Sequence, residues 1–163
     1  MLWFIIGLLC VAVDRLSKMY IVNNFAMGHS VPVINRVFYI TYHLNDGAAF
    51  SILSGKTVFL TVTSLIIMAA VAAYIIIKKP KNNLLLLSLT FILSGAAGNL
   101  ADRALSGAVV DFLDFRLINF PVFNIADCFV VTGGALLFWY VLRSPDGNEK
   151  KDEGEGSDGK KDV

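Results

Sequence analysis

The sequence has few cysteines and almost no net charge. Cys10 and Cys128 both lie within apolar segments, so a disulfide is not expected, and two thiols alone make no metal site. The formal net charge of +1 gives no indication of nucleic-acid binding. Charged residues are missing altogether from Thr57 to Ile77 and from Leu84 to Ala101. Each of these runs can cross a hydrocarbon core of about 30 Å as a helix.

The remaining composition also points to a membrane protein. Apolar residues make up 56% of the chain, whereas a soluble domain has about 45–50% by a similar count. Two further segments, Leu2 to Val22 and Ile125 to Leu142, are apolar except for three charged residues in the first and Asp127 in the second. The first segment lacks a basic start and a cleavage site after its apolar core, so we expect a retained span rather than a signal peptide. The sequence therefore predicts an all-α membrane fold with four transmembrane helices.

Lysines set the predicted topology. The segment KKPKNN, residues 78–83, places three lysines between the second and third spans, which predicts a cytoplasmic loop. Both termini are then cytoplasmic, and residues 23–56 and 104–124 lie outside. Residues 144–163 have mixed charge and no apolar periodicity, so we expect a disordered cytoplasmic tail after one membrane domain, residues 1–143.

The outer segment, about residues 23–56, differs from the spans. It is rich in Val, Ile, Tyr and Thr with partial alternation, which is typical of two or three short strands. We expect a small extracytoplasmic β-sheet that rests on the membrane. His29 and His43 fall in this region without a second metal-ligand type spaced to join them, so both are expected to be surface residues.

Polar side chains gather where the predicted spans reach the outer leaflet. They are Asp14, Lys18, Asn99, Asp102, Arg103, Asp111, Asp114, Asn124 and Asp127. An ionisable group in a membrane costs several kcal/mol unless it is paired. Their convergence at one depth therefore indicates a functional site.

Structural roles remain open for several of these residues. Asp14 and Lys18 are one helical turn apart and could form only an ion pair. Asp102 and Arg103 could be a pair that anchors the end of the third helix. Asp114 could be a solvated carboxylate.

Three other residues have two interpretations each. Asn124 could cap the fourth helix or belong to the site. Gly95 and Gly98, which lie in an apolar helix, could allow close helix packing or leave room for a substrate chain.

Asp111 and Asp127 have the most apolar surroundings of the acids. Two carboxylates that lie close together at low dielectric cannot both ionise easily, so one keeps a proton and the other acts as a base. Such a pair can deprotonate water and polarise a peptide carbonyl at once. This chemistry needs no metal and no cofactor.

Five segments, in order, resemble the lipoprotein signal peptidase family, the bacterial type II signal peptidases. They are DRLSK (14–18), NDGAAFSILSG (45–55), GAAGNLADR (95–103), VVDF (109–112) and FNIAD (123–127). The similarity covers residues 2–142. It implies a four-span aspartic endopeptidase of the bacterial cytoplasmic membrane that removes the signal peptide of a prolipoprotein before a diacylglyceryl-modified cysteine.

The same resemblance implies roles for individual residues. Asp111 and Asp127 would be the catalytic acids. The residues that would hold substrate or support the site are Asn45, Gly47, Asn99, Arg103, Asn124, Asp14, Lys18 and Gly95. The partners implied are lipidated prolipoproteins, membrane lipids and the cyclic-peptide inhibitor globomycin, and nothing demands more than a monomer. Cys128 stands where the family commonly has serine.

Two other function classes fit less of the sequence. Clustered aspartates can bind Mg²⁺ for phosphoalcohol transfer, but no D-x-x-D-G pattern occurs here. A transporter or proton pathway needs polar groups through the membrane, and the two uncharged spans offer mainly hydroxyls.

Overall fold

The computed structural model describes residues 1–47 and 55–143. In these ranges the helices are α1 (Leu2–Asn24), α2 (Thr57–Lys78), α3 (Asn83–Ser106) and α4 (Ile125–Arg143). The strands are β1 (Ser30–Ile34), β2 (Phe38–Asn45) and β3 (Val109–Phe115), and a short 3₁₀ turn, Arg116–Ile118, follows β3. The predicted disordered tail, residues 144–163, lies outside the described residues, as does the segment 48–54.

The helices have the length and hydropathy of membrane spans. Within the described residues, α2, α3 and α4 are long and apolar enough to cross a bilayer. α1 is 23 residues long but carries Asp14, Arg15 and Lys18. No side chain of α2 is buried by the described part of the chain, which a soluble fold could not sustain over so apolar a helix. The predicted class, a helical membrane protein with a small sheet, is confirmed.

α3 is the central helix, and it packs against α1, α2 and α4. It begins at a capping residue, Asn82, whose side-chain oxygen accepts from the main-chain nitrogens of Leu84 (2.9 Å) and Leu85 (3.1 Å). Its C-terminal cap is Gly107, which has a φ of 76° in the left-handed region. Glycine adopts this conformation without the steric penalty that a Cβ atom would bring, so it commonly ends helices. Both signals lie in the sequence, so the helix has defined ends.

Gly95 and Gly98 let α3 approach its neighbours. A Cβ on Gly95 would overlap the main-chain oxygen of Ala126 and the side chain of Val130, both on α4. A Cβ on Gly98 would overlap the carboxylate of Asp14 on α1. The space beside both glycines is filled by the protein itself, so the structure favours the helix-packing interpretation.

The sheet is antiparallel in the order β1-β2-β3. Two strands come from the first outer segment as predicted, but the third comes from residues 109–115 of the second outer segment, for which no strand is predicted. Val110 and Phe112 on β3 are buried against Ile21 of α1, and this apolar contact fixes the strand. Asp111 therefore stands on a strand, directly opposite His43 of β2.

The Gly95 contact predicts a stability effect. Gly95→Ala should destabilise the protein by about 1–3 kcal/mol, because the new methyl group meets a main-chain atom that cannot move aside. Gly134→Ala on α4 is the matched control, since among the described residues nothing lies within 4 Å of its added Cβ. Thermal unfolding in detergent should show a lower Tm for Gly95→Ala alone. Equal Tm values for the two variants would contradict the packing assignment.

Candidate active site

A cavity of about 710 Å³ opens where the sheet meets α3 and α4. Its lining includes six of the residues singled out in the sequence: Asn45, Gly47, Asn99, Arg103, Asp111 and Asp127. Apolar residues also line it, among them residues 120–123, Val130 and Val131. The structure therefore joins residues from two strands and two helices in one concave site.

Asp111 is the more deeply buried acid of this cavity. Asp111 is 1% exposed. Its two carboxylate oxygens accept hydrogen bonds from Asn45 Nδ2 (2.8 Å) and Asn124 Nδ2 (2.6 Å). Burial raises the pKa of Asp111 to about 7, and the nearby charge of Asp127 adds to the rise, although the hydrogen bond from Asn45 opposes it. Near neutral pH this carboxyl can therefore hold a proton.

Asp127 lies in the first turn of α4. Its Oδ1 accepts from Asn99 Nδ2 (2.7 Å), and its Oδ2 accepts from the main-chain nitrogen of Asn124 (3.2 Å). The main-chain nitrogen of Asp127 donates in return to Asn124 Oδ1 (3.0 Å). The pair forms a reciprocal cap at the helix start, so capping, one of the two interpretations left open for Asn124, is present in the structure.

Asn124 also joins the two acids. It is fully buried, and its Nδ2 donates to Asp111 Oδ1 and to Asn99 Oδ1 (3.1 Å). Because Asn99 donates to Asp127, a continuous chain of side-chain amides connects the two carboxylates. A buried polar chain of this kind holds its members in one geometry when all are satisfied.

Behind the cavity lies a buried ionic cluster. The Lys18 ammonium is 2.9 Å from Asp14 Oδ2 and 2.8 Å from Asp102 Oδ2, and it donates to Asn99 Oδ1 at 3.0 Å. The predicted Asp14–Lys18 pair is thus present, with Asp102 as a second anion. Arg15, which the sequence interpretation left without a role, also pairs with Asp102 at 2.9 Å.

Asp102 and Arg103 have partners other than each other. Neighbouring residues on a helix point to different faces, and Asp102 turns towards α1 while Arg103 donates from Nη2 to Gly47 O at 3.0 Å. Asp102 Oδ2 also lies 3.3 Å from the main-chain nitrogen of Val110. Asp102 therefore joins the start of β3 to the helices, and Arg103 joins α3 to the segment that directly follows β2.

Asp114 lies away from the cavity, and the expectation of a solvated carboxylate is wrong. The residue is 7% exposed, because Thr41 Oγ1 (2.7 Å) and Arg116 Nε (2.8 Å) both bond its Oδ2. The Arg116 guanidinium in turn stacks on the Tyr39 ring at 3.9 Å. This cluster fastens the far end of the sheet.

Two cavity residues were missed as site candidates in the sequence. His43 is exposed, as expected of a surface histidine, but it also lines the cavity opposite Asp111. Cys128 lines the cavity next to Asp127. The spacing of His43 and Asn45 by two residues on a strand was the available signal, since such residues share a face.

The same residues mark a known family. A family model described as signal peptidase (SPase) II matches residues 6–143. The chain belongs to the signal peptidase II family. That match includes all the cavity-lining and cluster residues described above, so the site lies wholly within the family's part of the chain.

Individual relatives are similar over nearly their full lengths. The chain is 42% identical over 142 residues to a lipoprotein signal peptidase from Brevibacillus brevis, covering 87% of this chain and 95% of that one. It is 39% identical over 155 residues to a lipoprotein signal peptidase from Bacillus subtilis, covering 94% and 100%.

A solved structure has the same architecture. It is described as a bacterial membrane enzyme determined by the in meso method at 2.3 Å resolution, and it matches with a TM-score of 0.84 and 34% identity. The match covers 92% of this chain and 93% of that chain. The family resemblance and the helical membrane fold expected from the sequence are both confirmed.

The double role of Asn124 predicts a separable effect. Asn124→Ala removes a helix cap, which costs about 0.5–2 kcal/mol, and it also breaks the amide chain between Asp111 and Asp127. Asn82→Ala removes only the cap of α3, far along the chain from both acids. Both variants should lower Tm in detergent, but only Asn124→Ala should lose most signal-peptide cleavage. Similar cleavage by the two variants would show that the amide chain between Asp111 and Asp127 is dispensable.

Proposed function

We propose that this protein is an aspartic endopeptidase that removes the signal peptide from diacylglyceryl-modified prolipoproteins. One observation carries the proposal: Asp111 from β3 and Asp127 from α4 line one cavity and are linked through Asn124. Membership in the signal peptidase II family supports the reaction class. The names of the relatives support prolipoproteins as substrates.

The two acids divide the chemistry. Asp111 is the more buried and, with a pKa of about 7, carries the proton and donates a hydrogen bond to the scissile carbonyl. Asp127 accepts a proton from a water molecule as the water oxygen attacks the carbonyl carbon. The new C–O bond gives a tetrahedral intermediate. Its collapse breaks the C–N bond as Asp127 gives the proton that it took from water to the leaving nitrogen, which becomes the new amino terminus.

Arg103 is placed to bind the substrate backbone. It borders the cavity beside both acids, and its buried Nε has no hydrogen-bond partner within residues 1–47 and 55–143. A buried donor without a partner is costly, so this N–H binds a substrate carbonyl. Asn45 and Gly47 hold Asp111 and Arg103 in place through their own bonds.

The cavity suits a substrate that is partly apolar. Its lining includes the apolar residues 120–123 together with Val130 and Val131 of α4. A signal helix and a lipidated cysteine can therefore remain in the outer leaflet while the peptide bond reaches the carboxylates. The site then faces the extracytoplasmic side, with both termini cytoplasmic, and globomycin competes for the same cavity.

A single chain supplies every group that this reaction needs. Asp111, Asp127, Asn124 and Asn99 all come from one copy, so a monomer is sufficient. The reaction also needs no cofactor, because one carboxyl and one carboxylate provide both the acid and the base.

The dyad is tested by a gel-shift cleavage assay in detergent with EDTA and a diacylglyceryl-modified prolipoprotein. Asp111→Asn and Asp127→Asn should each lose activity by orders of magnitude, because one lacks a titratable acid and the other a base. Asp114→Asn is the matched control, since this aspartate shares β3 with Asp111 but lies outside the cavity.

Each outcome of this assay supports or excludes a different hypothesis about the mechanism. Wild-type cleavage in EDTA with two folded, inactive variants supports the proposal. Near-normal cleavage by either variant would show that the acids are misassigned. Cleavage that appears only after Mg²⁺ is added would favour a metal-dependent enzyme.

The raised pKa of Asp111 predicts a pH limit. As pH rises through about 7, Asp111 loses its proton, the cavity holds two carboxylates, and the carbonyl is no longer polarised. The value of kcat/KM should therefore fall on the alkaline side. His43→Gln is the control, because His43 is another ionisable side chain that lines the same cavity. A limb that disappears in His43→Gln, or a profile that stays flat well above pH 7, would contradict the assignment to Asp111.

A further inference from the structure

Lys18 is a fully buried cation with a directional contact to the site. Its side chain is 1% exposed, and three acceptors surround the ammonium within 3.0 Å: Asp14 Oδ2, Asp102 Oδ2 and Asn99 Oδ1. An ammonium has three donors and no acceptor capacity. Each group that faces it must therefore be an anion or a hydrogen-bond acceptor.

This requirement fixes the side-chain amide of Asn99. Its oxygen must face Lys18, because the opposite orientation would bring an NH₂ group against the ammonium. The Asn99 Nδ2 is then directed at Asp127 Oδ1, 2.7 Å away. The second donor to Asn99 Oδ1, Asn124 Nδ2 at 3.1 Å, requires the same orientation.

The orientation of Asn124 is fixed from the other end. Its oxygen accepts from the main-chain nitrogen of Asp127, which can only donate. Its Nδ2 therefore points at Asp111 Oδ1 and Asn99 Oδ1. The amide chain thus has one polarity, set by the Lys18 ammonium at one end and by the start of α4 at the other.

We propose that Lys18 is a positioning residue for the dyad: its ammonium holds Asn99 in the orientation that delivers an N–H to Asp127. This role rests on the proposed function, in which Asp127 is the base. Lys18 contacts neither Asp111 nor Asp127, and it acts on Asp127 through Asn99. Without it, the uncompensated carboxylates of Asp14 and Asp102 would attract the Asn99 NH₂, and the amide oxygen would turn towards Asp127.

Lys18→Met and Arg15→Met form a matched pair. Each removes a cation from Asp102, but only Lys18 also contacts Asn99. The measurements are kcat and KM for cleavage of the lipidated prolipoprotein, with Tm in detergent as the test of folding.

Lys18→Met should lower kcat by about tenfold or more and leave KM within about twofold. Arg15→Met should keep kcat and KM near those of wild type, because Arg15 donates to Asp102 and not to Asn99.

A second comparison tests the same inference if Lys18→Met does not fold. Asp14→Asn with Lys18→Met removes a buried anion and a buried cation together, so the net charge is preserved, and Asp14→Asn alone is its reference. The same loss of kcat, with KM within about twofold, is expected between these two proteins.

Three results would overturn the inference. A lower Tm with unchanged kcat would make Lys18 purely structural. An equal effect of Arg15→Met would place the effect in the anchoring of Asp102, not in Asn99. A loss that appears in KM and not in kcat would place the effect in substrate binding, not in the base. Failure of wild type to cleave would instead refute the proposed function itself.

Discussion

The Lys18 ammonium, enclosed by Asp14, Asp102 and Asn99, is the interaction on which the arrangement of the site depends. A buried charge is tolerated only when nearly all of its hydrogen-bonding capacity is met, and here the acceptors come from both α1 and α3. Asp14 Oδ1 also accepts from the main-chain nitrogen of Ala126 on α4 (2.9 Å). One cluster therefore sets the relative positions of three helices, and with them the cavity in which a membrane-bound peptide could meet water.

Much of the fold could be predicted because membrane physics leaves few choices. Uncharged runs long enough to cross a bilayer must be helices, since every backbone polar group must be satisfied internally. The same physics singled out Asp111 and Asp127, because an acid among apolar neighbours is costly unless it has a role. The two-strand segment before α2 was visible from its β-branched and aromatic residues.

The parts that could not be predicted depend on tertiary contacts. Residues 109–115 carry two aspartates, which are unusual in strands, and the strand forms because Val110 and Phe112 pack on Ile21. The burial of Asp114 depends on Arg116, whose side-chain direction no spacing rule gives. The Lys18–Asp102 contact joins residues far apart in the chain, and a single sequence holds no signal for it.

The proposed mechanism requires Asp111 to hold a proton near neutral pH while Asp127 acts as the base. Infrared difference spectroscopy of the protein in detergent measures this directly, because a protonated carboxyl has a carbonyl band that a carboxylate lacks. We expect a protonated-carboxyl band at pH 6 that fades as pH rises through about 7 and is missing in Asp111→Asn. A band that survives in Asp111→Asn with the same titration, or that is absent from wild type at pH 6, would contradict it.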